Sequence, residues 1–493
     1  MIRRECIDLA VEGGESDGFA LQRQLSGLCQ GELAAALDEA FSRAAQGEKH
    51  WQFERIEVDA GHFTPESFAR DFVTAVAAAA EEQVRMRKAQ TIAQPEIAAE
   101  AGDVQWSGAQ SIDRAFLYFL ATGALPWWCR LLEGRTLESM LGEAWSEAHG
   151  QGEIADVPPR AALARALSSP VARLRLARQF SDQFLGRVLE RLAPTALAVL
   201  RALVAAAYRE LAVAVPEALP EQAWVAAFAC AATQRTIAPR PLLDAWAILA
   251  PGSITPAVVA SVLRATATHG ADGELKRHGG DPTASGLQTM ASIAAPASHD
   301  TENAPGTQSL DGTPSEHRAA ASAKSLDLHE GVFVDCAGVV LLHPFLPRLF
   351  ERLQLIADDR LLQPDRALAL LHFLATGQSS APEHALVLPK LLCGMEPSDL
   401  AGVPAELSEA DRTEAENLLQ AAIAYWSAIG QTALDGFRGN FLVRKGKLSK
   451  RGDDDLLQVE QQTWDVLLGQ LPWSIGVVRL PWMRRMLWVE WPY

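Results

Sequence analysis

No two cysteines in this 493-residue chain lie closer than 23 residues. Cys6, Cys29, Cys129, Cys230, Cys336 and Cys393 therefore make no CxxC pair and no zinc knuckle, and they read as reduced thiols serving as small core residues. No apolar run approaches the roughly 20 residues that span a bilayer, so no membrane insertion is expected. The opening Met1-Ile2-Arg3-Arg4-Glu5-Cys6 carries two arginines, but no apolar run stands behind them, since Asp8, Glu12 and Glu15 break it up. A secretory leader is not expected, and a cytoplasmic location is. Positive charge is also missing. The net charge is −17, made up of −7 over residues 1–267, −5 over 268–330 and −5 over 331–493. No segment offers the positive field that phosphate backbones require, which excludes nucleic acid as the main partner.

Catalytic motifs are lacking too. The glycines between Gly439 and Lys447 are too far apart for a phosphate-cradling loop, and Leu448 follows the lysine. The eleven histidines include no HExxH helix. His278, His299 and His317 fall in a polar stretch, His343 precedes Pro344, and His372 stands alone on a helix. Asp453-Asp454-Asp455 lacks the spacing of a calcium loop and reads as a solvated turn between two strands. The basic run before it, Arg444, Lys445, Lys447, Lys450 and Arg451, is expected to offset these acids across a hairpin. No catalytic residue, metal ligand or cofactor site is assigned, and the chain is not expected to be an enzyme.

The periodicity that is present predicts an α+β, mostly helical fold. Residues 1–90 read as a small α/β unit. Strands are expected at Ile7–Val11 and Phe53–Val58, with helices from about Gly31 to Ala45 and after Thr64-Pro65. Residues 91–110 read as a linker and 111–267 as a helical domain punctuated by prolines. In that domain, residues 161–192 form one long or two shorter helices. Residues 268–330 hold seven glycines and few large apolar side chains, and read as a disordered linker. Residues 331–493 read as a C-terminal domain of helices ending in small antiparallel β-hairpins. One hairpin pairs Phe441–Arg444 with Leu456–Val459, and another joins Ile475–Leu480 to Met486–Glu490. Phe119-Leu120-Ala121-Thr122-Gly123 recurs as Phe373-Leu374-Ala375-Thr376-Gly377, each ending a helix at a glycine.

Five of the thirteen tryptophans lie after residue 463. Trp464 and Trp473 read as core. Trp488 and Trp491 stay open between core and contact, because Trp and Tyr are enriched at binding hot spots. The candidate partner-contact set is Arg444, Lys445, Lys447, Trp482, Trp488, Trp491 and Tyr493.

Four stretches, in order, carry a resemblance. They are Leu341-Leu342-His343-Pro344-Phe345-Leu346-Pro347-Arg348-Leu349-Phe350, Ala385 to Gly394, Leu456-Leu457-Gln458-Val459-Glu460 running to Leu471-Pro472-Trp473, and Leu480-Pro481-Trp482-Met483 running to Val489-Glu490-Trp491. Together they resemble the C-terminal region of the contractile injection system tape measure protein family, found in phage-tail-like particles of the antifeeding-prophage and virulence-cassette types. Phe53 to Val58, Phe68 to Val76 and Leu125-Pro126-Trp127-Trp128 extend the likeness to residues 1–267. The resemblance implies a structural role in setting inner tube length, with tube, baseplate or tail-terminator proteins as partners and no catalytic residues. An assembly adaptor or chaperone acting through the C-terminal domain remains the second reading. A homo-oligomer, and retention in the finished particle, both stay open. A helical chain of this length would span about 740 Å and an extended one roughly 1,650 Å, yet no sustained heptads support a long rod.

Overall fold

Thr64-Pro65-Glu66-Ser67 shows how local chemistry starts an element. The Thr64 side chain accepts from the Ser67 N–H, the Ser67 hydroxyl accepts from the Thr64 N–H, and Pro65 fills the first helical position. The computed structural model describes residues 5–11, 15–30, 32–45, 49–94, 96, 103–129, 131, 134–150, 159–211, 216–272, 328, 331–402 and 405–492. The chain divides into two compact units, residues 1–116 with 125–158, and residues 117–124 with 159–493.

In the first unit, α1 (Glu15–Gln30), α2 (Glu32–Ala44) and α3 (Pro65–Ala93) enclose a small core. Leu33, Leu37, Phe68, Phe72 and Ala80 are buried there, with Phe63 edge-on to both buried phenylalanines. β1 (Lys49–Gln52) pairs antiparallel with β2 (Val104–Ser107), matching Lys49 to Ser107 and Gln52 to Val104. The first helix and both strand positions differ from the sequence expectation. Residues 5–11 form no strand, since only Ile7 packs on the core while Leu9 and Val11 stay exposed. The strand expected at Phe53–Val58 forms just before it, where Trp51 lies under the Lys88 ammonium, and its mate sits in the stretch read as linker. A strand needs a partner for its backbone groups, and local alternation cannot say where that partner is.

Helix α4 (Gly108–Thr122) follows β2, and α5 (Leu137–Gly150) completes the first unit. The second unit takes the end of α4, residues 117–122, and continues with α6 (Arg160–Ala166), α7 (Pro170–Gln179) and α8 (Asp182–Leu192). Three helices stand where one or two were expected. Ser169 and Ser181 each cap a new start, accepting from Ala172 N–H and Phe184 N–H, and Pro170 cannot continue the helix before it. Helices α9 (Ala196–Leu211), α10 (Leu219–Thr233), α11 (Pro239–Leu249) and α12 (Pro256–Asp272) come next. Residues 268–272 of the expected linker are the end of α12, while 273–327 and 329–330 lie outside the described residues.

Beyond them come β3 (Val332–Val334), α13 (Leu346–Arg352), β4 (Ile356–Ala357), β5 (Arg360–Leu361), α14 (Pro364–Thr376), α15 (Val387–Leu392), α16 (Glu409–Tyr425) and α17 (Leu434–Phe437). The remaining strands are β6 (Gly446–Arg451), β7 (Asp454–Val459), β8 (Val477–Val478) and β9 (Leu487–Glu490). The end is more than hairpins. A five-stranded sheet runs β3-β6-β7-β9-β8, antiparallel except for the parallel β7–β9 pair. Phe441-Leu442, expected as strand, close a π-helical turn instead. Phe441 is needed in the core, where its ring meets Trp426 at 4.8 Å. Its carbonyl sits where a Cβ on Gly338 would be, 1.7 Å away, so residue 338 has no room for a side chain. The hairpin therefore begins later and turns at Gly452, φ 64°.

Candidate functional site

Arg444, Trp482, Trp488 and Trp491 all lie in the second unit, and two of them meet at one buried carboxylate. Arg444 donates to both oxygens of Asp465, at 2.6 and 2.8 Å, and Trp491 Nε1 donates to the same group at 3.0 Å. The guanidinium also lies over the Trp491 ring, 5.2 Å from its centre. Its remaining donors reach the carbonyls of Asn440 and Glu460. Trp482 is buried, stacked on Phe350 and donating to the Leu392 carbonyl at 2.8 Å. Trp488 is half-buried, donates to Asp454 Oδ2 at 3.1 Å and carries Arg451 over its ring. Lys445 is exposed and Lys447 is half-buried, its stem lying over Gly331. Tyr493 lies outside the described residues.

The tryptophan and aspartate readings change accordingly. Trp464, expected in the core, is half exposed, while Trp473 is largely inside and donates to the Leu341 carbonyl. The aspartate run is more than a solvated turn. Asp455 is buried and faces Lys450 across the hairpin at 2.6 Å and Arg485 at 3.2 Å.

A denser polar centre escaped the sequence reading. Arg175 on α7, Glu383 just ahead of α15 and Lys390 on α15 form a fully buried triad. Arg175 Nε donates to Glu383 Oε2 at 3.0 Å, and Lys390 Nζ to Oε1 at 2.8 Å. The other arginine donors reach the carbonyls of Leu120 and Ser398, at 2.7 and 3.1 Å. Gln179 Oε1 accepts from the Glu383 N–H at 2.8 Å. Burial pushes the Lys390 ammonium below its usual range, against the pull of Glu383. A buried charge this deep persists only when paired and hydrogen-bonded, and here every member is.

The Leu120 carbonyl belongs to the first Phe-Leu-Ala-Thr-Gly. Gly123 (φ 76°) and Gly377 (φ 73°) are both left-handed, and each N–H returns to the phenylalanine carbonyl of its pentapeptide at 2.7 Å. Thr122 and Thr376 hydroxyls donate to the carbonyls four residues back. Each leucine carbonyl receives an arginine, Arg175 on Leu120 and Arg438 Nε on Leu374 at 3.3 Å. The repeated pentapeptide is thus a repeated device, a glycine-ended helix with a guanidinium laid across its last turn.

This chemistry fixes backbone. The cavity beside it, between Gln179, Asp365, Leu386 and Gly402, holds about 30 Å³, enough for a water and far below the roughly 300 Å³ a small ligand takes. Among the described residues no group of three His, Cys, Asp or Glu is placed to hold a metal. Burial pushes the Cys129 thiol up to about 11 and Cys336 up to about 12, so neither is an activated nucleophile. No described helix is long and apolar enough to cross a membrane. No curated protein and no solved structure matches the chain. The family model for the contractile injection system tape measure protein matches residues 1–491, nearly the whole length over which the sequence motifs were read. The chain belongs to the contractile injection system tape measure protein family, whose role is structural and not enzymatic.

Proposed function

We propose that this tape measure protein contributes to tube length as a folded component that docks tube, baseplate or tail-terminator subunits, and not as a rod drawn out through residues 273–327. The supporting observation is the Arg175–Glu383 pair. It joins α7 to the segment before α15 across 208 residues of sequence, and both belong to one unit. The described residues on both sides of 273–327 then belong to the same folded unit, so a change in the length of that stretch is not expected to change a spacing between units. Opening the unit to spool it out would break this pairing and expose the apolar core packed around it, at roughly 25 cal/mol for each Å² of apolar surface returned to water. Docking contacts would pass through exposed Lys445 and the open edge of Trp488. Arg444, Trp482 and Trp491 would act from inside, holding the frame on which those two sit.

The test is to delete or duplicate about 30 residues within 273–327, well under the segment's length, and measure particle lengths by electron microscopy. Unchanged lengths are expected. A proportional change overturns the proposal. The adaptor reading draws on the same folded unit and is separated by removing the chain altogether. Tubes of scattered length mark a length-setting part, whereas loss of all tubes marks an adaptor or chaperone.

A further inference from the structure

Residues 1–158 hold 13 Lys and Arg against 26 Asp and Glu, a net −13, and all of these charges belong to the first unit. A cation in such surroundings finds a carboxylate easily. Six of the described arginines in the unit have one, Arg87 with Asp103 at 2.8 Å among them. Arg23 is exposed on α1 and keeps its water. Arg114, on α4, is different. Its guanidinium lies against the Trp106 ring, 4.0 Å from the centre, and among the described residues no carboxylate and no hydrogen-bond acceptor reaches it. Burial pushes it below the usual arginine range, and no acid offsets the shift. Trp106 is itself fixed. It stands on β2 directly opposite exposed His50 of β1, so the two side chains share one face of the ribbon, and the Trp128 ring stacks on it at 6.3 Å. Stacking uses the flat face of a guanidinium and leaves the N–H donors around its rim open.

We propose that Arg114, held on Trp106, reads a single Asp or Glu side chain on a basic surface of another subunit of the particle. This rests on the reading that the chain docks particle subunits, and it adds a contact on the first unit to the one at Lys445 and Trp488. The field of the unit selects the occupant. A net −13 repels nucleic acid and any broadly acidic surface, and it draws in a basic one. Within a basic surface, a lone carboxylate is what a lone cation singles out. The long-range attraction brings the surfaces together, and the one reversed pair sets their register, because a shifted docking leaves Arg114 against a like charge. The planar fork suits a carboxylate, which accepts two parallel hydrogen bonds from it. The indole has already fixed the side chain, so little freedom is lost on binding.

Arg114→Lys turns the site into a chemical probe. It keeps the positive charge, and a water-soluble carbodiimide then joins its amine to a carboxylate in direct contact. The carbodiimide leaves as the urea with one carboxylate oxygen, and the amine nitrogen forms the amide. The reaction is run on assembly intermediates recovered through a tag on the full chain, and the cross-links are mapped by mass spectrometry. An amide from position 114 to an Asp or Glu side chain of another particle subunit, with Lys or Arg around it, is expected. Arg114→Glu should lower recovery of that subunit at least about tenfold, and exchanging the partner's acid for arginine should restore it. Circular dichroism and the melting temperature of the chain should stay unchanged in both variants. Native Lys445 reports on the second unit in the same reaction. Cross-links from Lys445 with none from position 114 overturn this proposal and leave the docking reading standing, and cross-links from neither overturn both. An amide only to a C-terminal carboxylate, an amide only to acids of this chain, or no rescue by the exchanged charge also overturns it.

Discussion

The two Phe-Leu-Ala-Thr-Gly helix ends share a backbone and differ in what stands behind the arginine. Arg175 is fully buried and meets a buried Glu383, itself shared with Lys390. Arg438 is less deep, lies over Phe373 and pairs at 3.3 Å with Asp435, a side chain 96% exposed. The same local device therefore carries very different weight. Where water reaches the acid, the pair adds little. Where it does not, the acid is indispensable, because two cations would otherwise be stranded.

The largest test of that contrast is Glu383→Gln. It leaves Arg175 and Lys390 buried without their counter-charge and should cost about 3–5 kcal/mol, read by urea unfolding. A cost below about 1 kcal/mol would mean that water enters the centre. Gly123→Ala and Gly377→Ala come next. Both residues are left-handed, but an added Cβ at 123 would sit 2.7 Å from Glu383 Oε1 and 3.0 Å from Arg175, whereas at 377 the nearest atom is Arg438 Nη1 at 3.2 Å. The first should cost about 2–3 kcal/mol and the second about 1–2. Equal losses would show that backbone strain alone matters.

Proton linkage sharpens the comparison further. Burial holds His384 down to about 4, only partly countered by the charges of Asp335 and Glu383, with His372 lowering it further. His372 is also lowered, again chiefly by burial. The unfolded chain binds these protons near the usual 6.5 and the folded chain resists them, so stability should fall as pH drops from 6.5 toward 4. His384→Gln should flatten that slope in melts taken across this window, and an unchanged slope would assign the loss to other groups. The smallest effect belongs to Asp435→Ala, expected within about 0.5 kcal/mol of the parent in the same urea unfolding.

Most helices were legible because their signals are local. Thr64-Pro65 and Pro364 mark starts, and Gly377 marks a stop. The strands were less so. Phe441 alternates like a strand residue, but the rings of Trp426 and Phe437 claim it, and Trp426, fifteen residues back, lies outside the short window in which strand alternation is read. The parallel β7–β9 pair joins residues about thirty apart with no hairpin to announce it. Of the buried centre, half a signal was present. Arg175 sits three residues after Ala172 and beside Leu176 on the inward face of α7, and Lys390 interrupts the apolar run Val387–Leu392. Nothing local names Glu383 as the acid that answers both. The contact set was read from composition, which finds tryptophans without telling a ring stacked on Phe350 from one at the surface.

The place of β9 has a consequence for synthesis. It lies between β7 and β8, yet residues 487–490 leave the ribosome after every other strand of that sheet. Until they arrive, β7 and β8 have no neighbour on their facing sides, and the sheet cannot close. A chain stalled before residue 487 cannot complete this unit, so closure of the sheet reports that translation has passed that point.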